Sequence, residues 1–237
     1  MSRGPAATRV FAAALAALIV PLPAMVRATP AEDVVAAPGT LGDAAFYRLV
    51  SCAAPPGSDC ARPAVRWRTE SPIRVALRRI DPVFVGRQRP RADAALTRAI
   101  GELNGAGARF RLSRVAANDR AEIVLYFLDA APDGTIAGTG IDWVDGAEID
   151  DIATLIAVDP ERTRIRAAAI VATPALETRA YEAAVLTALT RAMGLATAID
   201  APAYDGLSVL AHGVHEATRL GPQDIVALRR HYAPEAP

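Results

Sequence analysis

The run Glu122-Ile-Val-Leu-Tyr-Phe-Leu128 is nearly continuously apolar and restricts the fold more than any other stretch. A strand with no polar alternation has both faces covered, so it predicts a central strand in a layered fold. Around it, Ile73, Val75 and Leu77 alternate with Arg74, Ala76 and Arg78, and Phe110 and Leu112 alternate with Arg109 and Arg111. Both patterns predict half-buried strands. Ile152 to Val158 and Ile165 to Ala172 add two more, separated by the Asp159-Pro160 turn.

Pro90 to Leu103 reads as a helix with Ala92, Leu96, Ile100 and Leu103 on one face, ended by Asn104-Gly105. Pro174 is expected to open a long helix ending near Leu195, with Tyr181, Val185, Ala188 and Ala192 on one stripe. Pro222 starts a last helix running to Tyr232, whose buried side is Ile225, Leu228 and Tyr232. Residues 133–146 form a Gly/Asp-rich excursion, and residues 197–220 a loop. The order predicts an α/β chain with one mixed sheet and no internal repeat.

Residues 1–28 have the pattern of a secretory signal. Arg3 and Arg9 precede an apolar stretch from Val10 to Leu22, and Val26-Arg27-Ala28 offers small residues for cleavage. The stretch is shorter than the ~20 residues of a membrane span, and no second candidate follows. An exported mature chain, periplasmic or secreted and without a transmembrane segment, is therefore expected; an uncleaved N-terminal anchor is the alternative. Thr29 to Gly42 is Ala/Pro-rich without a period and reads as a flexible lead. The expected organisation is signal 1–28, lead and cysteine loop 29–70, main domain 71–197 and C-terminal subdomain 198–237.

Cys52 and Cys60 are the only cysteines. Export makes a disulfide the default, and Pro55-Pro56-Gly57 supplies the chain reversal between them. A zinc or redox site would want C-x-x-C spacing or further ligands. The 26 basic and 26 acidic residues cancel, and every basic residue is Arg. Their signs are interspersed along the chain, which argues against nucleic acid as a partner.

Val185 to Leu195 is informative through what it lacks. A helix ending in Gly-Leu before an Asp/Pro-rich loop is where zinc peptidases carry H-E-x-x-H-x-x-G-x-x-H. Setting that pattern on Gly194 puts Thr187, Ala188, Arg191 and Thr197 at the His, Glu, His and His positions. None of these can seat zinc or act as the general base, so no catalytic residue and no cofactor are predicted. Arg191 has five donors, no acceptor and a permanent charge that repels a dication. Two readings of it stand: filling a vacant cleft, paired with Asp200 or Asp205, or lying on a solvated helix face.

His212-x-x-His215 has metal-ligand spacing, and Asp205 or Glu216 would complete a set. That gives a metal-dependent hydrolase as the alternative; solvated loop histidines are the plainer reading. His231 reads as a cation complementing a helix C-terminal dipole. Ser51, Ser58, Ser71, Ser113 and Ser208 lack a G-x-S-x-G setting, and Gly138-Thr139-Gly140 lacks the context of a phosphate loop. Glu148, Asp150 and Asp151, with Asp142 and Asp145, lack EF-hand order and read as a solvated turn rather than a Ca²⁺ site. Trp67 and Trp143 read as buried packing, with a binding surface as the alternative.

Two tail segments carry a resemblance. Ser208-Val209-Leu210 resembles the Ser-Ile-Met of a Met-turn, and Thr218 to Tyr232 resembles the closing helix of matrixin-like peptidases. With Phe46 to Cys52, Val65 to Arg68, Ser71 to Leu77 and the two terminal helices, the chain is similar to the exported proteobacterial family called domain of unknown function 2927. The resemblance implies a zincin-like α/β fold, with a mixed sheet on two main helices and a small C-terminal helical subdomain. It also implies a degenerate cleft marked by Thr187, Ala188, Arg191, Thr197 and Leu210. The Glu and Gln that this family carries at the ligand positions, and its Asn-Asp after Gly-Leu, are absent here. The implied role is a non-catalytic pseudo-peptidase whose cleft, between helix Thr178–Leu195 and the C-terminal subdomain, takes a peptide or envelope protein. A purely structural envelope protein is the bland rival.

Overall fold

Main-chain pairing of the apolar strands sets the architecture. A computed structural model describes residue 1 and residues 29–30, 33–84, 86, 88–213 and 215–234. The expected signal segment lies, Met1 apart, outside the described residues. The chain begins with β1 (Thr29–Pro30), β2 (Asp33–Ala36), α1 (Asp43–Cys52), β3 (Ile73–Ile80), α2 (Gln88–Gly105), β4 (Leu112–Val115) and β5 (Ile123–Phe127). It continues with β6 (Gly134–Thr135), β7 (Glu148–Ile149), β8 (Ile152–Val158), β9 (Ile165–Ala172), α3 (Tyr181–Ala192), β10 (Thr197–Asp200) and α4 (Pro222–His231).

The main sheet has the order β1-β8-β9-β5-β3-β4. β9, β5, β3 and β4 run parallel, whereas β8 is antiparallel to β9 and β1 to β8. The fold is thus mixed α/β, with β5 in the interior of the sheet and every one of its residues buried. Its period of two sorts those residues into two cores. Ile123, Leu125 and Phe127 join the large core that also holds Leu96 and Leu103 of α2 and Val185 and Leu189 of α3. Val124 and Tyr126 face a smaller core closed by Ile136, Val144 and Ile149 of the 133–149 excursion. Helices therefore cover one face of the sheet, and an irregular hairpin covers the other.

Four expectations need correcting, the first being the 197–220 loop, which opens with the strand Thr197–Asp200. The lead is not free of structure: β1 adds to the sheet beside β8, and β2 pairs in parallel with β10. Main-chain pairing needs no side-chain period, so periodicity could not reveal it. The long helix does not open at Pro174. Thr173 is fully buried, its hydroxyl donates to the Asp150 carbonyl at 2.7 Å, and residues 173–176 form a turn before a 3-10 segment at Thr178–Ala180. The strand expected from Phe110 starts at Leu112, where the Asn104 amide brackets the backbone: Leu112 N–H donates to Oδ1 at 2.8 Å, and Nδ2 donates to the Leu112 carbonyl at 3.0 Å.

Helix α1 had not been anticipated, although Phe46, Leu49 and Val50 have helical spacing and are fully buried. Cys52, its last residue, is disulfide-bonded to Cys60. Among the described residues no helix is long and apolar enough to cross a membrane.

Candidate functional site

Helix α3 carries Thr187, Ala188 and Arg191, where the zinc-peptidase pattern set on Gly194 would have its His, Glu and His. It is buried nearly all round, from Ala183 through Ala192, because α2, β8 and β9 all pack on it. Thr187 is 3% exposed, Ala188 2%, Arg191 5%, and Thr197 and Leu210 0%. These positions are packed interior rather than an open cleft floor. The solvated-face reading of Arg191 fails on its burial. Arg191 makes an interaction within the fold, and the two carboxylates considered for it, Asp200 and Asp205, are exposed.

The Gly194 turn that ends α3 is held from three directions. Trp67 Nε1–H donates to the Ala192 carbonyl at 2.8 Å, and the Tyr232 hydroxyl donates to the Met193 carbonyl at 2.7 Å. Gly194 has φ +97°, and a Cβ there would meet the Val65 carbonyl oxygen at 2.1 Å and His231 Nε2 at 2.7 Å. Only glycine satisfies both the dihedral and the space. The Gly-Leu signature thus reflects packing of α3 beneath the Val65–Trp67 segment and α4.

His231 is the clearest correction to a residue's expected role. It is 2% exposed, its Nε2–H donates to the Val65 carbonyl at 2.9 Å, and Tyr47 O–H lies 3.3 Å from Nδ1. Burial pushes its pKa down to about 4, so at neutral pH it is an uncharged core residue rather than a dipole-complementing cation.

The Met-turn-like segment is organised by a buried carboxylate. Asp224, wholly buried, accepts from Ser208 Oγ–H at 2.6 Å, Val209 N–H at 3.0 Å and Gly221 N–H at 2.8 Å. Burial raises its pKa against the opposing pull of these donors. Asp224 thereby ties the start of α4 to the 208–210 turn, a pairing that sequence reasoning did not find.

The loop histidines diverge. His212 is exposed, while His215 Nε2 lies 3.4 Å from an Asp151 carboxylate oxygen, and this contact holds the Asp151 carboxyl below its usual range. Among the described residues no three His, Cys, Asp or Glu side chains converge as a metal-binding group. Asp145 caps its own loop, accepting from Thr139 N–H at 2.9 Å, Thr139 Oγ1–H at 2.7 Å and Gly140 N–H at 3.2 Å. Trp67 is buried as expected, and Trp143 is half-buried beside the smaller core.

The fold also gathers charge that is dispersed in the sequence. Arg66, Arg68, Arg109 and Arg164 line one pocket of about 310 Å³ together with Trp67 and Tyr232. Backbone bonds between residues 66 and 163–165 bring two of these arginines side by side. No local run of basic residues announces the pocket. Comparison with protein-family models gives no matching family, and comparison with curated proteins gives no match either.

Proposed function

We propose that this protein is an exported, non-catalytic binding or envelope-associated module whose domain is a degenerate relative of the zincin peptidases and of the domain of unknown function 2927 family. The observation that carries the reading is the buried Arg191 at a zinc-ligand position, between other positions filled by Thr187, Ala188 and Thr197. A permanent cation in the interior opposes a second, divalent one, and threonine and alanine cannot serve as the general base. The disulfide fits an oxidising compartment.

Binding of an extended peptide or envelope protein is the activity this leaves. The test is to incubate the purified mature protein with unfolded casein and added Zn²⁺, and in parallel to identify envelope proteins cross-linked to it in cells. We expect no hydrolysis and a reproducible cross-linked partner. Hydrolysis abolished by His212→Ala would overturn the reading.

A further inference from the structure

We propose that the outer edge of β10 is a strand-accepting site, now filled by the chain's own β2, and that its exchangeable partner is an extended peptide with a leading acid followed by small or β-branched apolar residues. This rests on the reading of the protein as a binding module and deepens it.

The acceptor requires a strand. Thr197, Ala198 and Ile199 are all 0% exposed, and β10 pairs with β2 in register from Thr197↔Asp33 to Asp200↔Ala36. Its other side is already committed, with Ile199 N–H donating to the Leu210 carbonyl at 2.8 Å and His212 N–H to the Ile199 carbonyl at 2.9 Å. Without β2, backbone donors and acceptors of a buried strand would lose their partners.

The present occupant is lightly held. Asp33, Val34 and Ala36 are exposed and only Val35 of the strand packs against the core, so β2 is held mainly by main-chain hydrogen bonds and the Arg62–Asp33 pair. A segment of that kind lies at the low-stability end of local opening. Strand addition at such an edge draws affinity from the backbone and specificity from a few side chains.

One side chain supplies that specificity. Arg62 Nε–H donates to the Asp33 carboxylate at 2.7 Å, and Nη2–H donates to Thr197 Oγ1 at 2.8 Å. Arg62 is itself positioned by the disulfide loop, because the backbone N–H groups of Ala61 and Arg62 both donate to the Cys52 carbonyl, at 3.0 and 3.2 Å. A fixed guanidinium at the entry of the edge selects a carboxylate on the first residue of the incoming strand. Parallel pairing fixes the direction of that strand.

The test uses the full mature chain and a fluorescent peptide with the sequence of residues 33–41, Asp-Val-Val-Ala-Ala-Pro-Gly-Thr-Leu. Asp33→Arg sets like charges face to face and weakens the attached strand. Peptide binding, read by anisotropy, is expected to be about tenfold or more tighter for this variant than for wild type, because the intramolecular competitor is gone. Asp33→Ala, which carries no repulsion, should give the same order with a smaller gap. A peptide whose acid is replaced by alanine should bind the Asp33→Arg variant about tenfold more weakly. Absence of saturable binding to either variant, equal affinity for the two peptides, or a dimer that excludes the peptide would overturn the proposal. Peptide exchange reports on the edge alone, whereas cross-linking reports on the envelope role, so failure of one is distinguishable from failure of the other.

Discussion

Gly194 has no room for a side chain, and that sets the first expectation at the scale of single residues. Gly194→Ala would drive a methyl into the Val65 carbonyl at a positive φ, with an expected loss of about 3 kcal/mol in urea unfolding. Arg191→Ala should cost about 2–4 kcal/mol, since it removes a large buried side chain together with the interaction it makes. Unchanged stability in that variant would contradict a structural role for Arg191. For His231 the sign follows from linkage: a folded pKa near 4 against an ordinary 6.5 means that the unfolded chain binds the proton first. Its contribution is full above pH 6.5 and falls away as pH drops toward 4, by about 3 kcal/mol in all. His231→Gln should flatten that part of the stability–pH curve. The sequence showed Gly194 as a motif anchor, but gave no sign that His231 is its neighbour, 37 residues further on, because nothing local distinguishes a buried imidazole from a terminal one.

At the scale of elements, the Cys52–Cys60 bridge fixes the end of α1 and presents Arg62 to β2. It closes a loop with a sequence separation of 8, so reduction should lower stability by about 2.5 kcal/mol on a chain-entropy basis. A melt of the reduced, alkylated protein checks this. The strands β8 and β9 were legible to the residue because their apolar runs are bounded by turn residues, and β5 to within one residue at each end because it is apolar throughout. The opening of α3 was misread because Pro174 is an ordinary helix starter, while the buried Thr173 hydroxyl that holds the turn makes a long-range bond invisible to local pattern. The β2–β10 pairing was hidden for the same reason: its information lies in the partner edge, not in Asp33–Ala36.

At the scale of the molecule, the sheet divides its side chains between a helix-covered core and a smaller one under the 133–149 excursion. The first of these absorbs Ala188 and Leu210, two of the positions that the resemblance would assign to a cleft. What was legible at Thr187, Ala188 and Arg191 was the residue chemistry itself, which offers no imidazole or carboxylate. Its closure was not, since closure depends on Trp67, Tyr232 and the lead arriving from distant parts of the chain. The most direct measurement of whether α3 is packed structure rather than a metal centre is elemental analysis of the purified mature protein by mass spectrometry. Zinc well below one ion per chain is expected, unchanged by His212→Ala or His215→Ala. One zinc per chain that disappears in either variant would contradict it.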